Sequence, residues 1–230
     1  MRTLPALENF PLKTVAFLKN LSKHNNKEWF EEHRDDYNEQ FLEPAFQFIV
    51  EMGERLNVIV PGINAIPKID KSVFRLHRDV RFSKDKSPYK TNLGIYFWEG
   101  NKKLAGSGFY FHADANGLFI GTGIYMPSSE QLKVYRNAVA DPASGKELHN
   151  AIKKVIGKGK YSLGGKSFKK VPRGYDADSP YSEYLLHGSL YVYYEKPDFA
   201  ELTNNDPVEY AFKIFKDMLP VHQWLVKYLK

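Results

Sequence analysis

The beginning of the chain repeats apolar residues at intervals of three and four, the spacing that forms one face of an α-helix. This pattern predicts a first helix, a second helix capped by Asn25 or Asn26, and a third helix that starts near Pro44. We expect the second helix to continue through Tyr37 and Phe41, which prolong its apolar face.

From residue 72 to about residue 125 the apolar period changes to two, which is typical of β-strands with one buried face. Short links rich in Gly and Asn separate these segments and favour antiparallel pairing. The predicted strands are residues 73–77, 93–98, 108–112 and 118–125 and, later in the chain, 190–194. The Gly- and Lys-rich residues 157–180 are predicted to be irregular.

Helical patterns return between the fourth and fifth of these strands, and a capping-box sequence at Asp206 predicts a C-terminal helix that Pro220 breaks or kinks. Helices, then strands, then helices again is an α+β order. We therefore predict an α+β fold with a central, mainly antiparallel sheet of about five or six strands, flanked by N-terminal and C-terminal helices. Because no long linker interrupts the chain, we expect a single domain over residues 1–230.

The composition narrows the functional classes. Hydrophobic residues make up 43% of the chain, enough for a sizeable core, and no apolar run reaches the roughly 20 residues of a transmembrane helix. The first ten residues lack the apolar segment of a signal peptide, so we expect a cytoplasmic protein without membrane contact. The lack of cysteine excludes disulfides and thiol catalysis. The net charge of +6 favours anionic partners, either small molecules or nucleic acid.

The densest group of polar side chains lies at residues 75–90, in the sequence RLHRDVRFSKDKSPYK. Guanidinium groups bind phosphate and carboxylate through paired hydrogen bonds, and lysines add mobile charges. We therefore interpret this segment, called the 75–90 motif below, as an anion-binding site. The predicted ligand-binding residues are Arg75, Arg78, Arg81, Lys86, Tyr89 and Lys90. The competing interpretation is an Arg–Asp network that locks a loop to the sheet.

Strand alternation would divide the motif between two faces if residues 73–83 were extended. Arg75 and His77 would then project to one side, whereas Arg78 would interrupt the apolar side and need a carboxylate or carbonyl partner. In the alternative arrangement the strand ends near His77, and Asp79 begins a turn.

Acid–base chemistry is a further hypothesis for the same region. Asp79 or Asp85 would orient the basic groups, bind a metal or act as general base together with His77. His112, at a strand end beside Asp114, would be a base, a metal ligand or simply a hydrogen-bonded strand-end residue. Because no spacing typical of a zinc hydrolase occurs, we predict no metal site, and the sequence indicates no particular cofactor.

Secondary candidates lie outside the motif. Trp29 is expected to be a core residue or the wall of a cleft, and Arg173 and Asp176 resemble a second polar cluster. Residues 148–175 hold eight Lys or Arg and no acid, with aromatic residues between them. That composition suits either a solvated loop or contact with a nucleic-acid backbone.

The 75–90 motif is similar to the signature of a widespread bacterial and fungal family of conserved proteins of unknown function. Weaker matches to the same family lie at residues 25–30, 108–112, 121–127 and 170–176. The resemblance spans about residues 14 to 195. It implies a single compact domain, and it supplies no activity, cofactor or catalytic residue.

Three functional hypotheses follow. The leading one is an anion-recognising domain centred on the 75–90 motif, whose ligand is a phosphate- or carboxylate-bearing molecule or a nucleic-acid backbone. The alternatives are a phosphoester-processing enzyme, and a scaffold or interaction protein in which the motif is an internal structural lock. The sequence leaves enzymatic activity and oligomeric state open.

Overall fold

The computed structural model describes residue 7, residues 9–203 and residues 205–229. The α-helices are α1 (Leu12–Lys23), α2 (Lys27–Glu32), α3 (Arg34–Asp36), α4 (Glu43–Ile59), α5 (Ser129–Ala140), α6 (Pro142–Ile156), α7 (Ala200–Thr203) and α8 (Pro207–Tyr228). The strands are β1 (Asn92–Trp98), β2 (Gly108–Asp114), β3 (Gly117–Ile124), β4 (Ser162–Lys166) and β5 (His187–Lys196). A π-helical segment occupies Tyr37–Leu42, and a 3-10 helix occupies Ser182–Leu186.

The five strands form one open antiparallel sheet in the order β1-β2-β3-β5-β4. Helices precede and follow the strands in the chain, and further helices lie between β3 and β4. The α+β fold with a central antiparallel sheet, predicted from the sequence, is confirmed.

The chain divides into two compact units. The first contains the described residues of Met1–Phe97, Tyr110–Phe119 and Glu195–Lys213. The second contains the described residues of Trp98–Phe109, Ile120–Tyr194 and Ile214–Lys230. The single domain expected from the sequence stays a prediction.

Aromatic packing forms the core of the first unit. The ring of Phe48 lies 5.1 Å from the ring of Phe10 and 4.8 Å from that of Phe111, which projects inward from β2. All three side chains are buried. Because alternate residues of a strand face opposite sides, the burial of Phe111 turns the neighbouring Tyr110 and His112 towards the other side of the sheet.

In the core of the second unit, aromatic side chains of α5 and α8 are buried, and their polar atoms form hydrogen bonds there. The Trp224 indole donates to the Ser144 carbonyl at 2.9 Å, and the Tyr135 hydroxyl donates to the Tyr184 carbonyl at 2.8 Å. Each aromatic ring therefore fills apolar space while its polar atom stays hydrogen-bonded.

The second predicted helix is shorter than expected. Its cap is Asn26, whose side chain accepts a hydrogen bond from the Trp29 amide at 2.9 Å, but α2 ends at Glu32. Tyr37 and Phe41 are buried, as their spacing predicts, yet they lie in the π-helical segment, with their rings 5.3 Å apart. The prediction of one continuous helix was therefore wrong, whereas the prediction that Tyr37 and Phe41 are on an apolar face was correct.

Strand β4 lies inside the segment predicted to be irregular, so that prediction was wrong. Glycine disfavours strands, which concealed it in the sequence. At Gly164 the ring of Tyr191 fills the place of a side chain, because an added Cβ would lie 2.2 Å from that ring. Gly165, at a φ of +94°, falls at a register shift between Gly164 and Lys166. The glycines therefore permit close pairing and a bulge.

Helix α8 continues through Pro220, so the proline does not break it, and the alternative of a kink at Pro220 stays a prediction. Proline removes the hydrogen bond to the carbonyl four residues earlier, which belongs to Lys216. Lys216 is exposed, and water can therefore bind the freed carbonyl.

Candidate functional site

Residues 73–78 run beside β1 without forming a continuous strand. Val73 pairs with Ile95, and His77 pairs with Tyr89, both antiparallel. Val73 and His77 are four positions apart, whereas their partners Ile95 and Tyr89 are six positions apart. The register therefore shifts between the two pairs. The continuous strand predicted at residues 73–77 is therefore wrong. Of the two arrangements considered for the motif, the structure has the one in which regular pairing ends at about His77.

Arg78 closes the loop that follows. Its Nη1 donates to the Asp85 carboxylate and, at 3.1 Å, to the Ser87 carbonyl, and Nη2 lies 3.4 Å from the Ser83 hydroxyl. The Arg78 side chain is 24% exposed. Arg78 thus has the carboxylate and carbonyl partners that the sequence indicated it would need, and it holds together the two ends of the loop at residues 79–87.

Asp85 is an acceptor within the same loop. Its Oδ1 accepts from the Ser87 amide at 2.9 Å and from the Ser87 hydroxyl at 2.6 Å. These bonds, followed by the one from Arg78, lower the pKa of Asp85 to about 2. A carboxylate that stays ionised to such a low pH is a poor proton acceptor, which makes it better suited to holding the loop than to general-base chemistry.

The remaining charged groups of the loop also find partners nearby. Arg81 donates through Nε and Nη2 to the Asp79 carboxylate at 2.9 and 2.7 Å, and Lys86 Nζ donates to the Val80 carbonyl at 3.0 Å. The hydrogen bond from the Arg81 side chain is the main reason that the pKa of Asp79 is lowered. Phe82, at the tip, is 95% exposed.

Tyr89 belongs to the core of the first unit. Its ring stacks on Phe30 with the centroids 4.2 Å apart, and the side chain is buried. The side-chain amide of Asn25 hydrogen-bonds to both the amide and the carbonyl of Tyr89. Tyr89 therefore anchors the end of the motif.

Arg75 and Lys90 lie outside the closed loop. The Arg75 side chain is 56% exposed, and its Nε is 4.0 Å from the Asp70 carboxylate, at the outer limit of an ion pair. Lys90 Nζ lies 6.0 Å from the centre of the Phe74 ring. Burial, followed by the positive charge of Arg75, lowers the pKa of Lys90. The structure thus places two cations of the motif in each other's field.

Tyr110, His112 and Asp114 alternate along β2 and share one face of the sheet. The Tyr110 hydroxyl is 3.0 Å from His112 Nδ1, and Asp114 Oδ2 is 3.5 Å from His112 Nε2. Asn92 Nδ2 lies 3.5 Å from the same Nδ1. Burial, with a smaller effect of Asp114, raises the pKa of Tyr110 to about 12. His112 therefore has a hydroxyl on one side and a carboxylate on the other.

A cavity of about 350 Å³ opens beside this histidine. His112 and Asp114 line one part of it, and Glu195 and Lys196 line another. Gly117 lies between them at a φ of +132°, where an added Cβ would be 2.0 Å from the Lys196 carbonyl. The absence of a side chain at Gly117 therefore lets the start of β3 approach the chain at Lys196.

Phe74 connects the cation pair with the histidine. Its ring lies 6.1 Å from that of Tyr110 in an edge-to-face arrangement, and Lys90 lies near the same ring. Gly94 makes room for this contact, because a Cβ there would lie 3.0 Å from the Tyr110 hydroxyl. We call Phe74, Arg75, Lys90, Tyr110 and His112 the polar row.

Sequence reasoning singled out Arg75, Lys90 and His112 but missed Phe74, Tyr110 and Asn92. The signal for Tyr110 was available, since it precedes His112 by two positions in a predicted strand and must share its face. Asn92 and Phe74 join the site only through strand pairing, which the sequence alone does not specify.

The secondary candidates make local contacts. Trp29 stacks on His33 with the ring centroids 4.0 Å apart. In the second unit Arg173 is exposed, and Asp176 accepts from the amide of Asp178 at 2.9 Å, which is local turn capping. The roles predicted for them stay predictions.

Part of the basic segment in the second unit is neutralised locally. Asp217 forms ion pairs with Lys158 and Lys160 and accepts a hydrogen bond from the Tyr161 hydroxyl at 2.5 Å. This carboxylate therefore reduces the positive charge that the sequence suggested for a nucleic-acid contact.

A buried cluster in the second unit resembles a hydrolase triad in its residue types. The Ser107 hydroxyl is 2.9 Å from His222 Nδ1, and Glu99 Oε2 is 3.4 Å from Nε2. Ser107 and His222 are both buried, so a substrate has no access to the hydroxyl. The cluster is better understood as a polar connection within the core.

Two classes of feature are not found in the described parts of the chain. Over residue 7, residues 9–203 and residues 205–229, no three His, Asp or Glu side chains group as a metal site would require. Within the same ranges, no helix has both the length and the apolarity to cross a membrane.

Comparison with known proteins adds a family. No curated protein and no solved structure matches the chain. One family model, described as "Conserved hypothetical protein (DUF2461)", matches residues 13–224, which is nearly the whole chain. The chain therefore belongs to the DUF2461 family of conserved hypothetical proteins.

Proposed function

We propose that this chain binds a small anionic molecule, carrying a phosphate or carboxylate group, on the polar row. Arg75 and Lys90 bind the anion, and the rings of Phe74 and Tyr110 contact the rest of the ligand. The observation that carries the proposal is the weak pairing of Arg75, whose Nε is 4.0 Å from Asp70, together with Lys90 over the Phe74 ring, whose pKa is lowered by burial and then by the charge of Arg75.

Like charges held together destabilise a fold unless an anion lies between them. The other predicted ligand-binding cations of the motif have such partners inside the loop: Arg78 has Asp85, Arg81 has Asp79, and Lys86 has a carbonyl. Among the described residues, Arg75 has one ion-pair contact, the long one to Asp70, and burial already disfavours the charged form of Lys90. A bound phosphate or carboxylate would satisfy both cations through charge-assisted hydrogen bonds.

The neighbouring side chains favour a ligand larger than a bare ion. Phe74 and Tyr110 offer aromatic surface next to the cations, and His112 offers a hydrogen-bonding group beyond them. Ligand sites of this kind combine apolar walls with a few fixed polar groups.

Inorganic phosphate is a suitable first probe. At constant ionic strength, phosphate should raise the melting temperature of the wild-type protein more than chloride does, because it binds the folded form. Arg75→Gln and Lys90→Gln should each remove this difference. Arg81→Gln, which changes a cation of the same motif that is paired with Asp79, should keep it. Equal responses of the wild type and the Arg75 and Lys90 variants would overturn the proposal.

Salt dependence separates a small ligand from a nucleic-acid backbone at this site. A backbone that contacts several cations loses affinity steeply with rising salt, because each contact releases counterions. We expect a shallow dependence for the polar row. The cytoplasmic location expected from the sequence stays a prediction.

One observation favours a second candidate, a phosphoester-processing enzyme. His112 lies at the edge of a cavity with the Asp114 carboxylate at Nε2 and the Tyr110 hydroxyl at Nδ1, so a proton from a substrate would reach the histidine through the Tyr110 hydroxyl. Hydrolysis of p-nitrophenyl phosphate is the test. His112→Gln should lower the rate about 100-fold or more, whereas the exposed His24→Gln should not. No turnover by the wild type would remove this candidate.

One residue, Arg78, supports the scaffold hypothesis. The contacts of Arg78 make it an internal lock of the loop, as that hypothesis requires. A lock at Arg78 and a ligand at Arg75 and Lys90 are compatible, since the two sets of contacts are separate.

A further inference from the structure

Phe82 is a large apolar side chain held in solvent. It is 95% exposed, at the tip of the loop that Arg78 closes. Leaving a phenylalanine in water forgoes about 2 kcal/mol or more of burial free energy. The ring projects into solvent from a loop whose two ends are joined by Arg78.

Side-chain bonds at several points restrain the loop. Arg78 joins its beginning to Ser87 at its end, and Asp85 caps the amide of Ser87. Lys86 reaches across to the Val80 carbonyl at 3.0 Å. A loop restrained in this way loses little conformational entropy on binding, which increases the affinity of whatever it contacts.

The surface around the ring is positive. Arg81, Lys84 and Lys86 are exposed within four positions of Phe82, and the Arg81 guanidinium lies 5.8 Å from the centre of its ring. The acids of the loop, Asp79 and Asp85, are bound by Arg81, Arg78 and Ser87. The tip therefore offers one aromatic face surrounded by cations.

We propose that this tip, formed by Arg81, Phe82, Lys84 and Lys86, binds single-stranded nucleic acid. Phe82 stacks on an unpaired base, and Lys84 contacts a neighbouring phosphate. Arg81 and Lys86, which are held by Asp79 and the Val80 carbonyl, flank the ring. An aromatic platform within a basic surface is the general arrangement by which proteins bind single strands without sequence preference. The inference does not rest on the polar row, because it uses neither Arg75 nor Lys90.

An anionic membrane is the other partner with matching charge, and the structure favours it less. Stable binding to a bilayer takes a second apolar anchor or a lipid chain in addition to basic residues. All of residues 78–88 are described, and among them Phe82 is the sole exposed large hydrophobic side chain. A single ring suffices for a base stack but provides little insertion into lipid.

The test is the binding of a fluorescein-labelled 15-nucleotide oligothymidylate, followed by fluorescence anisotropy. Phe82→Ala should weaken binding about 5- to 150-fold, the range measured for loss of one aromatic stack. Phe82→Trp should retain binding, and Phe82→Leu should lose it, because leucine has no π face. Val58→Ala, at an apolar position of α4 that is 80% exposed, is the matched control and should bind as the wild type does.

The phosphate contacts have their own readout. For single strands, the logarithm of the binding constant falls with the logarithm of salt concentration by about 0.7 per phosphate contact. Lys84→Gln should reduce that slope by about 0.7, and Arg75→Gln should leave it unchanged. These values distinguish contacts at the tip from contacts at the polar row.

Four results would overturn the proposal. They are no binding by the wild type, unchanged binding by Phe82→Ala, full binding by Phe82→Leu, or Phe82-dependent binding to phosphatidylserine-containing vesicles in place of the oligonucleotide. Because Phe82 makes little contact with the rest of the fold, its variants should melt with the wild type, which rules out unfolding as the cause of lost binding.

Discussion

The side-chain amide of Asn25 makes two hydrogen bonds with the main chain of Tyr89. Its Nδ2 donates to the Tyr89 carbonyl at 2.9 Å, and its Oδ1 accepts from the Tyr89 amide at 3.0 Å. The residues are 64 positions apart in the sequence. One side chain thus supplies both partners that a neighbouring strand would otherwise provide, and it fixes the end of the 75–90 motif.

Replacing Asn25 should therefore destabilise the fold. Asn25→Ala leaves the amide and carbonyl of the buried Tyr89 without these partners, which we expect to cost about 1–3 kcal/mol. Urea denaturation measures the change. Asn38→Ala, at an exposed position of the π-helical segment, should stay within about 0.5 kcal/mol of the wild type. Equal losses from the two substitutions would mean that the Asn25 bonds do not stabilise the folded state.

Elements with strong local signals were predictable from the sequence. The cap at Asn26 and the capping box at Asp206 both mark the start of a helix in the structure, because their hydrogen bonds are made within a few residues. β4 was not predictable, since its glycines gain their role only from the Tyr191 ring and the Ser189 carbonyl beside them. Those neighbours belong to β5, which pairs with β4 but lies later in the sequence.

The sequence identified the charged segment at residues 75–90, but it did not identify which of its cations have partners. The density of charge marked residues 75–90, but which cation is neutralised depends on turn geometry. Asp79 lies two positions from Arg81 and pairs with it, whereas Arg78 reaches seven positions to Asp85. The separation of a closed loop from the pair Arg75 and Lys90 follows from those contacts.

Arg78 and Arg81 should differ sharply in their effect on stability. Arg78→Ala removes bonds to a carbonyl and a carboxylate around a largely enclosed side chain, and we expect a loss of about 1–2 kcal/mol. Arg81 is 77% exposed and pairs with a neighbouring residue, so Arg81→Ala should change the free energy of unfolding by less than about 0.5 kcal/mol. Thermal or urea unfolding compares them, and a larger loss for Arg81→Ala would contradict the assignment of Arg78 as the lock.

The protonation of Asp85 should report the closure of the loop. Its pKa of about 2 lies below the ordinary value of 3.8, so its bonds stabilise the folded chain above the ordinary value and are lost as pH falls towards 2. The pKa can be measured from the carboxyl ¹³C shift. Ser87→Ala removes the largest cause of the shift and should raise the pKa of Asp85. Ser83→Ala, whose hydroxyl contacts Arg78 instead, should leave it nearly unchanged; equal shifts in both variants would argue against the hydrogen bond from Ser87.

Gly123 should tolerate substitution far less than Gly174, although both have positive φ angles, of +149° and +89°. An added Cβ at Gly123 would lie 2.1 Å from the Leu190 carbonyl, whereas at Gly174 it would meet nothing within 4 Å. Gly174→Ala should therefore lower the free energy of unfolding only by the cost of holding alanine at a positive φ, about 1–2 kcal/mol. Gly123→Ala adds a clash between its Cβ on β3 and the backbone of β5, and it should lower the free energy of unfolding by about 3 kcal/mol or more. Urea unfolding measures both, with amide hydrogen exchange in β5 as a local readout. Faster exchange at residues 190–192 in Gly123→Ala alone is the expected pattern, and equal stability of the two variants would exclude so close an approach of these strands.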